Sequence, residues 1–166
     1  MEPGFWTLFE SPLGPILLAS NGSELTGLRF VSEVDPVSFE ENGKRARAPF
    51  AEAERQLKAY FRGELKRFDL PVRLDGTPFQ RAAWRELRKI PYGATITYGE
   101  QAARMGNPKA CRAVGGANRE NPIGIIVPCH RVIGSDGRLT GFGGGKKRLD
   151  LKAALLTLEK AAGFRL

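Results

Sequence analysis

The sequence predicts an α/β N-terminal unit over residues 1–74 and a mostly α C-terminal unit with a helix-turn-helix over residues 75–166. Three observations carry this. Short apolar and aromatic runs with turn signals between them fill the chain up to Phe30. From Thr77 onward, capped stretches with apolar residues at helical spacing take over. The charge changes at the same place. Residues 1–74 hold 10 Lys and Arg against 11 Asp and Glu, a net of −1; residues 75–166 hold 16 against 7, a net of +9.

Residues 5–9, 15–19 and 25–30 read as three strands, with Asn21-Gly22 as a turn between the last two, so a three-stranded antiparallel sheet is expected. Residues 32–48 are polar and mixed and read as a long loop. Phe50, Leu57, Tyr60 and Phe61 form a helical stripe over 49–62, and Gly63 suits its stop. Residues 68–72 read as a short extended piece. Asp75-Gly76 marks the boundary between the units.

The second unit opens on Thr77 as N-cap and Pro78 in the first turn, with Phe79, Ala83, Leu87 and Ile90 on one face. Thr97 and Glu100 have capping-box spacing, for a helix that runs to about Met105 and ends at Gly106. Asn107-Pro108 starts a further helix that reaches about Asn118. Two short helices joined so tightly predict a helix-turn-helix. Gly115-Gly116 inside the second helix costs on the order of 2 kcal/mol relative to two alanines. Such a cost implies that another backbone approaches closely. Arg112 shares that face, and Ala110, Ala113 and Ala117 keep it flat. Residues 139–142 are expected to return as a wing, and Leu151, Leu155 and Leu158 predict a last helix over 147–160.

The composition excludes several classes. Two cysteines make no disulfide framework, so a reducing compartment is expected. Two cysteines and one histidine fall short of a zinc site, and no metal or cofactor is expected. No apolar run approaches the roughly 18 residues of a membrane span. Met1-Glu2-Pro3 does not open a signal peptide. A monomeric cytoplasmic protein is expected (nuclear in a eukaryote), with no membrane and no obligate protein partner. The basic second unit calls for a polyanion, most simply nucleic acid.

The chemistry centres on residues 123–133, an apolar run that carries Cys129 and then His130, the sole histidine. Residues 125–127 read as a buried strand that Pro128 interrupts, with Cys129 at its end. A thiolate is a strong nucleophile and a thiol a weak one, so a base must take the proton. His130 is the ordinary candidate. Neighbours on a straight strand point to opposite faces, so a bend after Pro128 or a bridging water is required. A cysteine peptidase would need a histidine distant in sequence, and none exists.

Pro128-Cys129-His130-Arg131-Val132, preceded by Asn121-Pro122-Ile123, resembles the active-site sequence of the O6-alkylguanine-DNA alkyltransferases. Residues 112–117, Arg-Ala-Val-Gly-Gly-Ala, are similar to that family's recognition helix. The likeness in motifs spans about residues 77–160. It implies a ribonuclease-H-like first domain and a winged-helix-like second one. It also implies DNA repair by a single irreversible alkyl transfer from the 6-oxygen of guanine, flipped out of double-stranded DNA through the minor groove. Residue roles follow from it. Cys129 is the nucleophile and alkyl acceptor, and His130 the base through a water. Glu159 orients the imidazole, Asn121 organises the site, and Tyr98 gives a proton to the leaving base. Arg112 fills the gap left by the flipped nucleotide. Ala113, Gly115, Gly116, Ala117 and Arg131 join it at the DNA. Val132, Phe142 and Gly143 form the base pocket, where many relatives have a tyrosine in place of Phe142 and a serine in place of Gly143.

Overall fold

The computed structural model describes residues 4–33, 43–140 and 146–165. The chain divides into two compact units, 1–74 and 75–166.

In the first unit, β1 (Gly4–Ser11), β2 (Gly14–Ser20) and β3 (Leu25–Phe30) form an antiparallel meander. Asn21 builds the second turn: its Oδ1 accepts from the backbone N–H groups of Ser23 at 3.0 Å and Glu24 at 2.8 Å. Gly22 takes the left-handed φ of +105° that the turn requires. Strand β2 lies in the middle of the sheet, and Ile16, Leu17 and Leu18 are all buried. That is why it reads as a continuous apolar run rather than an alternation. The sheet has four strands, one more than the sequence suggests. Strand β4 (Gly43–Arg45) lies parallel to β1, giving the order β3-β2-β1-β4. It is three residues long, and Lys44 and Arg45 are exposed, so no apolar pattern betrays it. Charged side chains on a short edge strand also discourage pairing with other chains.

Helix α1 (Ala51–Phe61) buries Ala53, Gln56, Leu57 and Tyr60, spaced one turn apart. Gln56 is polar but paired. Its side-chain amide exchanges hydrogen bonds with the backbone of Asp69 at 2.8 and 2.9 Å, which ties down the segment after the helix. Of residues 68–72 only Val72 forms a β-bridge, with Leu25.

The second unit holds α2 (Pro78–Leu87), β5 (Ile96–Thr97), α3 (Tyr98–Arg104), α4 (Cys111–Arg119), β6 (Val132–Ile133) and α5 (Lys146–Leu158). Thr77 and Gln80 close a full capping box on α2. At α3 only half the expected box forms: Thr97 accepts from the Glu100 N–H. Ala83, Leu87 and Ile90 are buried as expected, but Phe79 is 37% exposed, and Trp84 takes its place in the core. Each fully buried side chain of this size contributes about 1.5–3 kcal/mol.

Helix α4 begins at Cys111, later than Asn107-Pro108 suggests, because residues 108–109 form a turn first. The helix-turn-helix pair is held by buried amides. Gln101 on α3 and Asn118 on α4 exchange hydrogen bonds at 3.0 and 2.8 Å, and Trp84 Nε1 donates to the Ala117 carbonyl at 2.8 Å. Strands β5 and β6 pair in parallel. Helix α5 buries Leu155 and Leu156, and Leu156 forms a core cluster with Ile133 and Leu139. The wing expected at 139–142 lies outside the described residues from Gly141 onward.

Candidate active site

Cys129 is delivered by a turn, not by the strand the sequence suggests. Residues 121–128 fold back on themselves, clamped by Asn121. Its Nδ2 donates to the Val127 carbonyl at 2.7 Å, and its Oδ1 accepts from the Ile123 N–H at 3.0 Å. Val127 N–H also reaches the Ile123 carbonyl at 3.0 Å. Ile125 is forced to a φ of +68°, a left-handed conformation that a β-branched residue adopts only under strain. Strain of about 1–3 kcal/mol is typical of such positions. Burial of Ile123, Ile125, Ile126 and Val127 offsets it. The apolar run is therefore the underside of a turn. A continuous apolar run marks burial and leaves the backbone conformation open.

Cys129–Arg131 then form one turn of 3-10 helix. This is the bend that bringing Cys129 and His130 together requires. Successive side chains on such a turn stand about 120° apart, against 180° on a strand. Cys129 is buried, whereas Cys111 is exposed at the start of α4 and does not pack inside it.

His130 is fully buried. Its Nε2 lies 2.8 Å from Glu159 Oε2, and its Nδ1 has no hydrogen-bond partner among the described residues. Glu159 follows the last residue of α5, and its backbone N–H still bonds the Leu155 carbonyl at 3.0 Å. Burial pushes the His130 imidazole below its ordinary pKa of 6.5, despite the opposing pull of Glu159. Burial alone would raise the Glu159 carboxyl, but its hydrogen bonds to His130 and Arg131 and the charge of Arg131 outweigh it and hold it well below the usual carboxylate range. The consistent state at neutral pH is an ionised Glu159 accepting from the Nε2–H of a neutral imidazole. That tautomer leaves Nδ1 as a bare base.

Arg131 is placed otherwise than a DNA contact requires. It is buried, and its Nε and Nη2 grip both oxygens of Glu159 at 2.8 and 3.0 Å. Its Nη1 donates to the Ile90 carbonyl at 2.7 Å, and its guanidinium lies 5.9 Å from the centre of the Tyr92 ring. Three of its five N–H donors are committed inside the protein, and burial keeps the guanidinium away from phosphate. The sequence offers no warning, since a charge in a motif reads as exposed.

Tyr98 opens α3, and its hydroxyl donates to the Thr140 carbonyl at 2.7 Å. Burial raises its phenol well above the ordinary range; Cys129 adds to the rise, and Arg119 partly offsets it. Lys152 on α5, absent from the sequence-based set, meets the same two groups. Its position was readable: it lies three residues before Leu155 and four before Leu156, on the buried face of the helix. Val132 is buried in β6. Phe142 and Gly143 lie outside the described residues.

On α4, Arg112 and Ala113 are exposed, Gly115 and Gly116 are half-buried, and Ala117 is buried under Trp84. Ala117 therefore belongs to the inner face of the helix, not to the DNA-facing one. A Cβ at Gly115 would meet Tyr98 in ordinary contact at 4.0 Å, and one at Gly116 would meet nothing within 4 Å. Packing within the described chain does not explain why these positions are glycine. Among the described residues, no group of three or more His, Cys, Asp or Glu side chains is placed to hold a metal ion. No helix among them is long and apolar enough to cross a membrane.

A buried cysteine followed by a neutral, carboxylate-anchored imidazole, on a unit that also carries a helix-turn-helix, defines a protein of the nucleic-acid-binding class with a thiol–imidazole site. Residues 5–74 match the model of the 6-O-methylguanine DNA methyltransferase ribonuclease-like domain, and residues 78–161 match that of the same family's DNA binding domain. The chain belongs to this family. It is 51% identical to a methylated-DNA–protein-cysteine methyltransferase of Methanosarcina acetivorans, over 93% of this chain and 97% of that protein. The crystal structure of the Mycobacterium tuberculosis O6-methylguanine methyltransferase shares 49% identity, with a TM-score of 0.86 over 95% of this chain and 93% of that one. That of the M. tuberculosis OGT in complex with DNA shares 46%, with the same TM-score over 96% of both chains.

Proposed function

We propose that Cys129 accepts the alkyl group when this chain repairs O6-alkylated guanine in double-stranded DNA. The observation that carries the reading is His130: a buried, neutral imidazole beside Cys129 whose Nε2 is committed to Glu159 and whose Nδ1 is unbonded. A water on Nδ1 would carry the Cys129 proton to it. The thiolate attacks the alkyl carbon in line, the S–C bond forms, and the C–O6 bond breaks with its electron pair passing to the purine. Tyr98 neutralises the purine by giving its phenolic proton to a ring nitrogen. The backbone at Val132 holds the base edge, and the family resemblance adds Phe142 and Gly143 to that pocket. Asn121 keeps the turn that presents Cys129.

The flipped base reaches this site from the minor groove. Gly115 and Gly116 let the DNA backbone approach α4, Ala113 keeps the face flat, and Arg112 occupies the gap left in the stack. In this reading the first unit is ribonuclease-H-like and supports the second, which is winged-helix-like. A thiol that must stay reduced suits the cytoplasm. A site built from one unit's side chains suits a monomer. A thioether sulfur is a poor leaving group, so the transfer is irreversible, and each chain acts once without a cofactor.

The test is a mass spectrum of the protein after mixing with DNA that carries one O6-methylguanine. The wild-type chain gains one methyl group on the peptide that contains Cys129. Cys129→Ser gains none and still binds the DNA. Alkylation elsewhere with Cys129 unmodified would overturn the reading.

A further inference from the structure

Lys152 is fully buried, a position that lysine rarely occupies without a task. Its Nζ donates to the Thr140 carbonyl at 3.1 Å and to the Tyr98 hydroxyl at 3.4 Å, and it lies 5.6 Å from the centre of the Tyr98 ring. The direction of this chain of bonds matters. Lys152 donates to the Tyr98 oxygen, and Tyr98 donates to Thr140. Lys152 also supplies the Thr140 carbonyl with a second donor. Tyr98 can therefore turn its proton away without leaving that carbonyl unbonded.

We propose that Lys152 is a positioning residue for alkyl transfer, whose ammonium charge stabilises the Tyr98 oxygen while the Tyr98 proton moves to the leaving purine. This inference rests on the reading of Cys129 as alkyl acceptor. Charge balances through the step. The Cys129 proton goes to His130, which becomes imidazolium, and the phenolic proton goes to the purine, which leaves neutral. Tyr98 is left as a phenolate, and Lys152 is already there as its counter-ion. Without that charge, a buried phenol held well above its ordinary pKa is a poor proton donor. Burial also lowers the lysine's own pKa to about 8, with Cys129 opposing the fall, so the charge is present at neutral pH and titrates just above it. Among the described residues, His130 also feels the charge of this lysine, and Arg119 acts on Tyr98.

The experiment is the single-turnover rate of methyl transfer from O6-methylguanine DNA to Cys129, followed from pH 6 to 10. Variants are Lys152→Met, which fits the site as an apolar side chain, Lys152→Gln, which keeps a donor toward Thr140, and Lys152→Arg, which keeps the charge at every pH. Thermal melts and DNA affinity are measured for each variant that is used. Removing one preorganised electrostatic contact typically costs ~100-fold or more in rate. Lys152→Met and Lys152→Gln should both lose about that much at pH 7, with DNA affinity unchanged. Lys152→Arg should recover most of the rate. The ratio of wild-type to Lys152→Arg rates should fall as pH climbs through about 8. Joined to Tyr98→Phe, Lys152→Met should slow the reaction little further, because the two act as one unit. Folded Lys152→Met or Lys152→Gln protein with near-wild-type rates, or a loss that simply adds to that of Tyr98→Phe, would overturn the inference alone. A wild-type chain that transfers nothing to Cys129 would overturn the functional reading as well.

Discussion

Glu159 Oε2 stands 2.8 Å from His130 Nε2 and 3.0 Å from Arg131 Nη2, so one buried oxygen serves an imidazole and a cation together. The cation keeps the carboxylate ionised, and the carboxylate keeps the imidazole in one tautomer. Removing one partner of a buried pair strands the other. Glu159→Ala should destabilise the fold by about 3–5 kcal/mol, and Arg131→Ala by a similar amount. The double variant should lose clearly less than the sum. Urea unfolding of the three variants measures this. Full additivity would show that the two side chains are independent.

The pH dependence follows from His130. Its folded pKa lies below the ordinary 6.5, so the unfolded chain takes up the proton first as pH falls. Stability should be fully present above about pH 6.5 and should decline as pH falls toward the folded value. Transfer should persist below pH 6.5 and fail only when His130 is protonated in the folded state. Urea midpoints at pH 7.5 and 5.5, for wild type and His130→Gln, read the stability effect. An acid-side slope unchanged in His130→Gln would assign it to other groups.

Gly116 separates packing from DNA approach. A Cβ there meets no atom of the described chain within 4 Å. Gly116→Ala should therefore stabilise the folded protein by up to about 1 kcal/mol through helix propensity. It should weaken DNA binding at least ~10-fold, or about 1.4 kcal/mol. A melt and a fluorescence-anisotropy titration give both numbers. Unchanged affinity would remove α4 from the DNA interface.

Arg112 is exposed on the same helix. Flipping a base costs a few kcal/mol of lost stacking, and a free base needs no flipping. Arg112→Ala should slow transfer from duplex DNA much more than transfer from free O6-alkylguanine. Equal slowing on both substrates would deny Arg112 a place in the stack.

Cys129 and His130 stand out as candidates because five consecutive residues carry a chemical requirement as well as a pattern. The helix boundaries around Thr77, Gly63 and Gly106 were legible because caps and left-handed turns need particular residues. The strand expected at 125–127 was misread because an apolar run reports burial, and here Asn121 imposes a turn on it. Strand β4 is too short and too charged to show a period. The partners of Arg131 and Lys152 were hidden for one shared reason, although the helical spacing of Lys152 from Leu155 and Leu156 placed it on a buried face. A cation reads as solvent-facing until its partners are known, and those partners lie 28 and 54 residues away along the chain.

The most direct measurement is a titration of O6-methylguanine DNA against a fixed amount of protein, with the alkylated peptide mapped at each point. Transfer should plateau at one methyl group per chain, all of it on Cys129, and added time or DNA should not raise it. Turnover beyond one equivalent, or methylation chiefly at the exposed Cys111, would contradict the account.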